Sequence, residues 1–334
     1  MAATTKIQWA DSCANFWSGC TRISEGCRFC YAEVRDARQL QEKKSHWGKG
    51  APRLKSVGAV KQALAMNRRP WICPVCSHAM TEDESKGYRG CPVEQFQESH
   101  DPKLDGKPFV PRQFKLEMHA AQHHRRRIFS LSLGDWLDDE VPIEWLAEML
   151  DTIRQCDQVT WILCTKRPDN FKQQLATVAT NAHNEKNPKL GCWIDGWMHG
   201  DKIPENIILL TSVENQAMAD KRIPELLKIP AACRGLSMEP LLGPVDVGNW
   251  LPFVAGSRRR VADLEPLIDW LIIGGESGSN ARLCNVEWIR SLVAQGNAAG
   301  VATFVKQFSG KKSGEQGPLP DDIWNTKQFP AICV

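Results

Sequence analysis

No stretch of this 334-residue sequence stays apolar for the roughly 20 residues that a helix needs to cross a lipid bilayer. No apolar segment typical of a secretion signal follows residues 1–6. The net charge is only +3, so the chain as a whole does not carry the strong field of a general polyanion-binding protein. These absences predict a cytoplasmic protein that has no membrane partner.

A disulfide framework is not expected either, although the chain has 13 cysteines. Disulfide-dense proteins are usually small and secreted, whereas this chain is long and its number of cysteines is odd. Thiols that bind a metal in a reducing cytoplasm therefore explain these cysteines better than disulfides do.

Three cysteines near the amino terminus are the strongest chemical signal. Cys20, Cys27 and Cys30 lie on one short loop, with six residues between the first pair and two between the second. Cysteine thiolates hold [4Fe–4S] clusters, and three protein ligands leave one iron open for a substrate or cofactor. A zinc site needs a fourth ligand, for which Cys13 is the nearby candidate. The spacing favours the cluster, with a half-formed zinc knuckle or unligated thiols as the alternative.

Beyond residue 127 the sequence alternates apolar, β-prone runs with helical stretches. In the first helical stretch, Ile143, Leu146 and Leu150 recur at the spacing of one helix face. This alternation predicts a parallel sheet, because parallel neighbours need a crossover between them. The predicted strands are 128–133, 159–165, 207–213, 234–238, 271–275 and 301–307, with a further short strand at 6–9 and a helix at 31–41.

Nearly every predicted strand ends at a charged residue. In a β/α barrel the active site is assembled at the carboxyl ends of the strands, so six charged endings in succession predict a site at that rim. A doubly wound open sheet would give the same pattern, and periodicity leaves both architectures open. The charged endings are Asp135, Lys166 with Arg167, Glu214, Glu239, Glu276 and Lys306.

Residues 41–127 differ in composition from the rest of the chain and are predicted to form an inserted subdomain. Lys, Arg, His and Pro accumulate there and the hydrophobic periodicity weakens. A second cysteine group in this segment indicates a zinc ribbon or a second cluster, which would stabilise an insertion too polar to build its own core. The cysteines are Cys73, Cys76 and Cys91, and the candidates for a fourth ligand are Glu94, His78 and His100.

Two basic clusters accompany this insertion. They are residues 123–127 with His119, and residues 258–260. Such runs are commonly solvated surfaces, but near a metal-stabilised insertion they could contact phosphates. Trp47 and Trp71 could then stack on bases.

Together these segments resemble the phage Gp37/Gp68-type proteins (the DUF5131 family), which are related to radical S-adenosylmethionine (SAM) enzymes. The usual radical SAM signature places three residues, rather than six, between its first two cysteines. The aromatic residue before the last cysteine is kept here as Phe29. The similar segments are 7–9, 19–33, 163–168, 211–214, 236–243, 269–278, 281–282 and 305–307.

The resemblance implies a partial (β/α)6-like radical SAM barrel. Residues 1–40 would carry the cluster-binding loop, 41–127 the inserted metal-binding subdomain, and 128–334 the remaining β/α units. It also implies that SAM chelates the open iron of a [4Fe–4S] cluster. An electron from a donor such as flavodoxin or ferredoxin would then generate a 5′-deoxyadenosyl radical that abstracts hydrogen from the substrate. The protein holds the cofactor, aims it and excludes water.

The resemblance also assigns roles to the rim residues. Asp135 or Glu276 would accept a hydrogen bond from the methionyl amine, and Lys166 or Arg167 would pair with the carboxylate. Cys164 shares the strand face of Lys166 and is the candidate hydrogen-atom donor, with a small buried hydrophobe as the simpler alternative. The other cofactor contacts would be Glu214 at the ribose, Phe29 at the adenine, Glu239 on the rim, and Gly274 and Gly275 where the backbone approaches the ligand.

We therefore expect a radical SAM enzyme that acts on a modified pyrimidine in phage DNA, in the host cytoplasm. Thymine hypermodification by isomerisation of an amino-acid adduct is the specific expectation, because such a substituent offers only unactivated C–H bonds. One alternative is a radical SAM enzyme acting on a peptide, a tRNA or a small molecule. The other is a non-catalytic, zinc-containing nucleic-acid-binding protein.

Overall fold

The structure is a computed structural model. It describes residues 5, 7–39, 45–72, 79–81, 124–185, 187–252 and 267–333. Most of the predicted insertion lies outside these residues, and so do the basic residues 258–260. The candidate ligands of the second metal site, Cys73, Cys76, Cys91, His78, Glu94 and His100, also lie outside them.

The described residues form a mixed α/β fold. The strands are β1 (Ser12–Ala14), β2 (Trp17–Ser18), β3 (Leu54–Lys55), β4 (Trp71–Ile72), β5 (Ala79–Met80), β6 (His124–Arg125), β7 (Arg127–Ser130), β8 (Thr160–Thr165), β9 (Ile207–Ser212), β10 (Cys233–Met238), β11 (Trp270–Gly274) and β12 (Ala302–Gln307). The helices are α1 (Tyr31–Gln39), α2 (Ala59–Asn67), α3 (Ile143–Gln155), α4 (Phe171–Asn184), α5 (Pro188–His199), α6 (Gln216–Leu227), α7 (Val286–Ala299) and α8 (Asp321–Trp324). Within the described chain, no helix combines the length and the apolar character that spanning a membrane requires.

Seven strands form one parallel sheet that curls into a half-barrel. Its order is β1-β7-β8-β9-β10-β11-β12, and every neighbouring pair is parallel. The strand order follows the chain without the reversal that defines a doubly wound sheet, so the half-barrel resolves the alternative that periodicity left open. The sheet has seven strands rather than six because β1 pairs with β7.

The six strands predicted after residue 127 are confirmed to within one to three residues. The predicted helix at 31–41 is confirmed as α1 over its described part. The short strand predicted at 6–9 is wrong, because the chain turns there and the strand that joins the sheet is β1. A strand of three residues is too short to show periodicity, which is why the sequence misplaced it.

Side chains alternate between the two faces of each strand, and the faces differ in what covers them. The outer face packs against the helices in one large core, to which α3, α4, α6 and α7 contribute buried Leu150, Leu175, Ile223 and Leu292.

Aromatic rings fill the amino-terminal half of the inner face. Trp9 meets Phe129 and Trp270 edge-on, with ring centroids 4.7 and 6.3 Å apart. Phe329 packs on Phe304 at 5.2 Å. Edge-to-face packing of buried rings is favourable, and this plug closes one end of the half-barrel.

The inner face becomes polar toward the carboxyl ends of the strands. On β8 the apolar Ile162 is followed on the same face by Cys164 and Lys166. On β9 and β10 this face carries Ser212 and Ser237, which pair with each other in the sheet. The half-barrel is therefore plugged at one end and lined with polar groups at the other.

The described part of the basic run at 123–127 is not a free phosphate-binding patch. His124 and Arg127 both bind Asp11, at 3.1 and 3.0 Å, and Arg126 is buried. Arg125 lies over the ring of Trp71. Trp47 is also buried and cannot stack on a base from the surface. Burial and ion pairing thus occupy groups that the sequence had suggested for nucleic acid.

Candidate functional site

The polar end of the half-barrel opens into a cavity of about 820 Å³. The three loop cysteines lie on its wall, together with side chains from the carboxyl ends of the strands. The sequence-predicted residues on this wall are Cys20, Cys27, Cys30, Phe29, Asp135, Cys164, Lys166, Arg167, Glu239, Gly275, Glu276 and Lys306. The structure therefore brings together most of the residues that were predicted from separate strands.

The loop that carries the cysteines runs from β2 to α1 and is fixed at its start by its backbone. Gly19 pairs with Gly134 and Cys20 with Trp47 in isolated parallel bridges. Gly19 has a φ of 109°, and a side chain there would meet the carbonyl oxygen of His46 at 2.5 Å. Only glycine fits this position without displacing the neighbouring segment.

Arg167 holds the first part of the loop. Its Nη1 donates to the Cys20 sulfur at 3.6 Å and to Asp135 Oδ2 at 3.2 Å. Its Nη2 donates to the carbonyl oxygen of Thr21 at 2.9 Å. The guanidinium, predicted as one candidate partner of a cofactor carboxylate, is thus already engaged by the loop.

Glu214 supports the middle of the loop from behind the cavity wall. It is fully buried, and its Oε2 accepts from Arg222 at 2.7 Å. A side chain on Gly26 would meet the Glu214 carboxylate at 3.0 Å, so the loop lies directly on this group. Burial would raise the pKa of Glu214, but Arg222, Ser24 and Lys166 outweigh it and lower the pKa. The predicted ribose contact is therefore a loop support in this structure.

Arg282 holds the last part of the loop. It forms a paired set of hydrogen bonds with Glu276, from Nε at 2.8 Å and Nη2 at 2.7 Å. Its guanidinium lies 5.2 Å from the ring centroid of Phe29 and 3.4 Å from Glu25 Oε2. Because Arg282 occupies both Glu276 oxygens, that carboxylate serves the loop rather than the open cavity.

A buried cation links the loop to the segment before α2. Arg53 donates to Asp138 Oδ2 at 2.8 Å, and both side chains are fully buried. It also donates to Thr21 Oγ1 at 2.9 Å and to the carbonyl oxygen of Ala51 at 2.9 Å. Sequence analysis missed this residue, because nothing local distinguishes Arg53 from a solvated arginine.

Two of the loop thiols, Cys20 and Cys30, have a raised pKa. Burial raises the pKa of Cys20 to about 12, and the nearby carboxylate of Asp135 adds to the effect. Burial also raises the pKa of Cys30. Since metals bind the thiolate, loading this loop must release protons.

Among the described residues, no group of three or more Cys, His, Asp or Glu side chains is arranged to hold one metal ion. Cys13, the candidate fourth zinc ligand, instead donates to Thr5 Oγ1 at 3.3 Å. Each thiolate of a cubane cluster binds a different iron, so its ligands do not converge on one point as those of a zinc ion do.

Asp135 organises the rim. Its Oδ1 accepts from the Thr165 hydroxyl at 2.7 Å and from the Leu137 amide at 3.1 Å. Its Oδ2 accepts from the Lys166 amide at 2.8 Å in addition to Arg167. With four donors on two oxygens, this carboxylate is saturated by its own protein.

Lys166 and Glu239 are charged groups of the wall that each have one side-chain hydrogen-bond partner. Lys166 Nζ donates to Ser212 Oγ at 3.0 Å, and Glu239 Oε1 accepts from Lys306 at 2.7 Å. Burial would lower the pKa of Lys166, but the neighbouring thiols and Glu214 outweigh it and raise the pKa. Lys166 is therefore a half-buried cation on the cavity wall.

Gly274, the last residue of β11, and Gly275, which follows it, make room for protein atoms. A side chain on Gly274 would meet Glu239 Oε1 at 2.9 Å, and one on Gly275 would meet the Ser309 amide at 2.4 Å. These close contacts with protein atoms, rather than contact with a ligand, explain why both positions are occupied by glycine.

Cys164 lies on the cavity wall, with its sulfur 3.5 Å from Ser212 Oγ. Burial raises the pKa of this thiol, which therefore keeps its hydrogen at neutral pH. The hydroxyls of Ser212 and Ser237 beside it were not predicted. The alternation of strand faces that placed Cys164 with Lys166 would also have found them.

A family model described as "Protein of unknown function (DUF5131)" matches residues 4–319. The match covers the cysteine loop, every strand of the half-barrel and the rim residues. Among curated proteins and solved structures, none matches the chain.

Proposed function

Since this chain belongs to the DUF5131 family, whose description states no activity, we propose its function from the site: it is a radical SAM enzyme. One observation carries the proposal. Three cysteines lie on a single loop held over the carboxyl ends of a curled parallel sheet, on the wall of a cavity of about 820 Å³. This is the end of a β/α barrel where catalytic groups are assembled.

The donor set fits a [4Fe–4S] cluster with one open iron. Cys20, Cys27 and Cys30 supply three thiols, and the anchors Arg167, Glu214 and Arg282 set the loop in place without a metal. When bound, the reduced cluster and SAM together supply one-electron cleavage of the sulfonium and, with it, hydrogen abstraction from the substrate.

The chain's own residues would bind and orient SAM. Of the two predicted partners of the carboxylate, the half-buried Lys166 is the one left to pair with it, because Arg167 is held by the loop. Glu239 would accept from the methionyl amine, because Asp135 and Glu276 already have their full sets of donors.

The size of the cavity is compatible with a bound ligand of the size of SAM. Sites for single small molecules span about 300–1,000 Å³, and this cavity lies near the upper end of that range. We propose that the substrate is a modified pyrimidine in DNA, and that the reaction rearranges an amino-acid substituent on the base. A base must leave the duplex stack to enter such a cavity.

Cys164 would return a hydrogen atom to a substrate radical. Its S–H bond breaks and a C–H bond forms, which leaves a thiyl radical on the protein. An electron from a flavodoxin- or ferredoxin-type donor and a proton from solvent restore the thiol. The protonated thiol and the adjacent Ser212 hydroxyl support this role.

The decisive experiment is anaerobic incubation of the iron-loaded protein with SAM and dithionite. We expect 5′-deoxyadenosine to form, and expect none when either dithionite or the cluster is omitted. Protein that carries an intact, reducible cluster and forms no 5′-deoxyadenosine would refute the proposal.

The salt dependence of DNA binding tests whether the substrate is DNA. A DNA-acting enzyme should bind duplex DNA with an affinity that falls steeply as salt rises, because phosphate contacts release counterions. A weak and flat response would favour a peptide, a small molecule or another substrate that is not a polyanion. About four irons per chain would exclude a zinc-only binding protein.

We expect Lys166→Met to weaken SAM binding by about 10- to 100-fold, since a hydrogen bond to a charged group contributes about 1.5–3 kcal/mol. Equilibrium dialysis of the loaded protein with labelled SAM measures the effect. Lys172→Met, on the exposed side of α4, is the matched control. Equal affinities of the Lys166→Met and Lys172→Met proteins would remove Lys166 from the site.

A further inference from the structure

The cysteine loop receives one strong side-chain hydrogen-bond donor at a ligand sulfur. Nη1 of Arg167 lies 3.6 Å from Cys20 Sγ, which is within hydrogen-bond range for sulfur. The same guanidinium donates to the Thr21 carbonyl at 2.9 Å, and this second bond fixes its plane against the loop. A lysine has no fork that could make both contacts.

The charge of Arg167 acts in a poorly solvated place. The residue is 7% exposed, and its guanidinium also lies 3.2 Å from Asp135 and 3.8 Å from Asp138. The Asp135 carboxylate also accepts hydrogen bonds from Thr165 and Lys166, which partly offset its negative charge. The guanidinium, in contrast, contacts the sulfur directly. Electrostatic interactions are strengthened where the effective dielectric constant is low.

Arg222 and Arg282, two other arginines near the loop, do not make this contact. Arg222 donates to Glu214 and to the carbonyl oxygen of Ser212. Arg282 donates to Glu276 and Glu25 and faces the ring of Phe29. In the described chain, the hydrogen bond from a cationic side chain to a loop sulfur comes from Arg167.

We propose that Arg167 is a positioning residue that donates a charge-assisted hydrogen bond to the Cys20 thiolate and thereby raises the reduction potential of the cluster. Hydrogen bonds to the sulfurs and burial are the main means by which a protein sets such a potential. Reduction adds one negative charge, and a nearby cation stabilises the reduced form more than the oxidised form. The inference rests on the proposed function, because it takes the three cysteines as cluster ligands.

The test is a redox titration of the reconstituted cluster, followed by electron paramagnetic resonance. We expect Arg167→Gln to lower the equilibrium constant for reduction at least tenfold, which for a one-electron couple is a fall of 59 mV. Arg167→Lys keeps the charge and should shift the potential by less than half as much.

The matched control is Arg127→Gln at the opposite end of the sheet. Arg127 also forms a buried ion pair, donating to both oxygens of Asp11 at 3.0 Å, but it lies among the aromatic side chains of the plug. Its replacement should leave the potential unchanged. An equal shift in both Gln variants, or no shift in an Arg167→Gln protein that holds its cluster, would overturn the inference.

If the Arg167→Gln protein binds no iron, the hydrogen bond is tested on the wild-type cluster instead. Its Fe–S stretching bands, compared in H₂O and D₂O by resonance Raman spectroscopy, should show a deuterium shift that Arg167→Lys reduces. The absence of that difference would overturn the inference. Wild-type protein that binds no iron would refute the proposed function itself, and the role of Arg167 with it.

Discussion

Replacing Cys27 by alanine is expected to abolish iron binding and SAM cleavage together. Cys27 lies on the cavity wall between the two other loop thiols, where the loop rests on Glu214 through Gly26. With two thiolates left, a second iron of the cube would lack a protein ligand, and we expect the cluster not to be retained. Iron content after anaerobic reconstitution and formation of 5′-deoxyadenosine measure both effects.

Cys192→Ala is the matched control for that experiment. Cys192 is an exposed free cysteine on α5, outside the cavity wall. Its replacement should leave both iron content and 5′-deoxyadenosine formation at the wild-type level. Full iron occupancy in Cys27→Ala would mean that the ligand set is wrong, and losses of the same size in the two variants would mean that the assay reports general thiol damage.

Arg53→Met is expected to lower the free energy of unfolding by about 3–5 kcal/mol, the cost of breaking a buried ion pair by removing one partner. The change leaves Asp138 buried without its main counter-charge, and it removes the bonds to the Thr21 hydroxyl and the Ala51 carbonyl. Burial already raises the pKa of Asp138, against the lowering effect of Arg53. Denaturant unfolding of the variant and the wild type measures the difference.

Two further variants test whether the lower free energy of unfolding of Arg53→Met comes from its buried ion pair. Arg154→Ala removes a surface pair with Asp151 and should cost no more than about 1 kcal/mol. Arg53→Met combined with Asp138→Leu should recover part of the stability, because no charge is then left unpaired. If Arg53→Met costs no more than Arg154→Ala, the pair does not hold the loop segment in place.

The rim shows how charged residues at strand ends acquire different roles. Asp135, Arg167 and Glu276 were predicted to contact the cofactor, and each lies on the cavity wall. Each is nevertheless occupied by partners from the protein, which makes them the frame of the cysteine loop. Lys166 and Glu239 remain for the ligand because their partners leave them facing the cavity.

Sequence patterns identified the rim residues because the positions of residues along a strand follow a local periodicity. The period of two along a strand placed Cys164 and Lys166 on one face, and the structure has both on the cavity wall. The same rule extends to Ser212 and Ser237, but serines gave no charge or thiol to attract attention. The structure buries Trp47, Arg126 and Arg127, which look solvated in the sequence, because tertiary contacts cover them.

The amino-acid sequence by itself determined the three-cysteine loop, the alternation of strand and helix, and the charged ends of the strands, since each of these depends on spacing along the chain. The tertiary structure decided which charges meet. Arg167 and Cys20 are 147 positions apart, and Arg282 and Glu25 are 257 apart. Such pairs form because curling of the sheet brings distant strand ends to one mouth, and no local pattern encodes that closure.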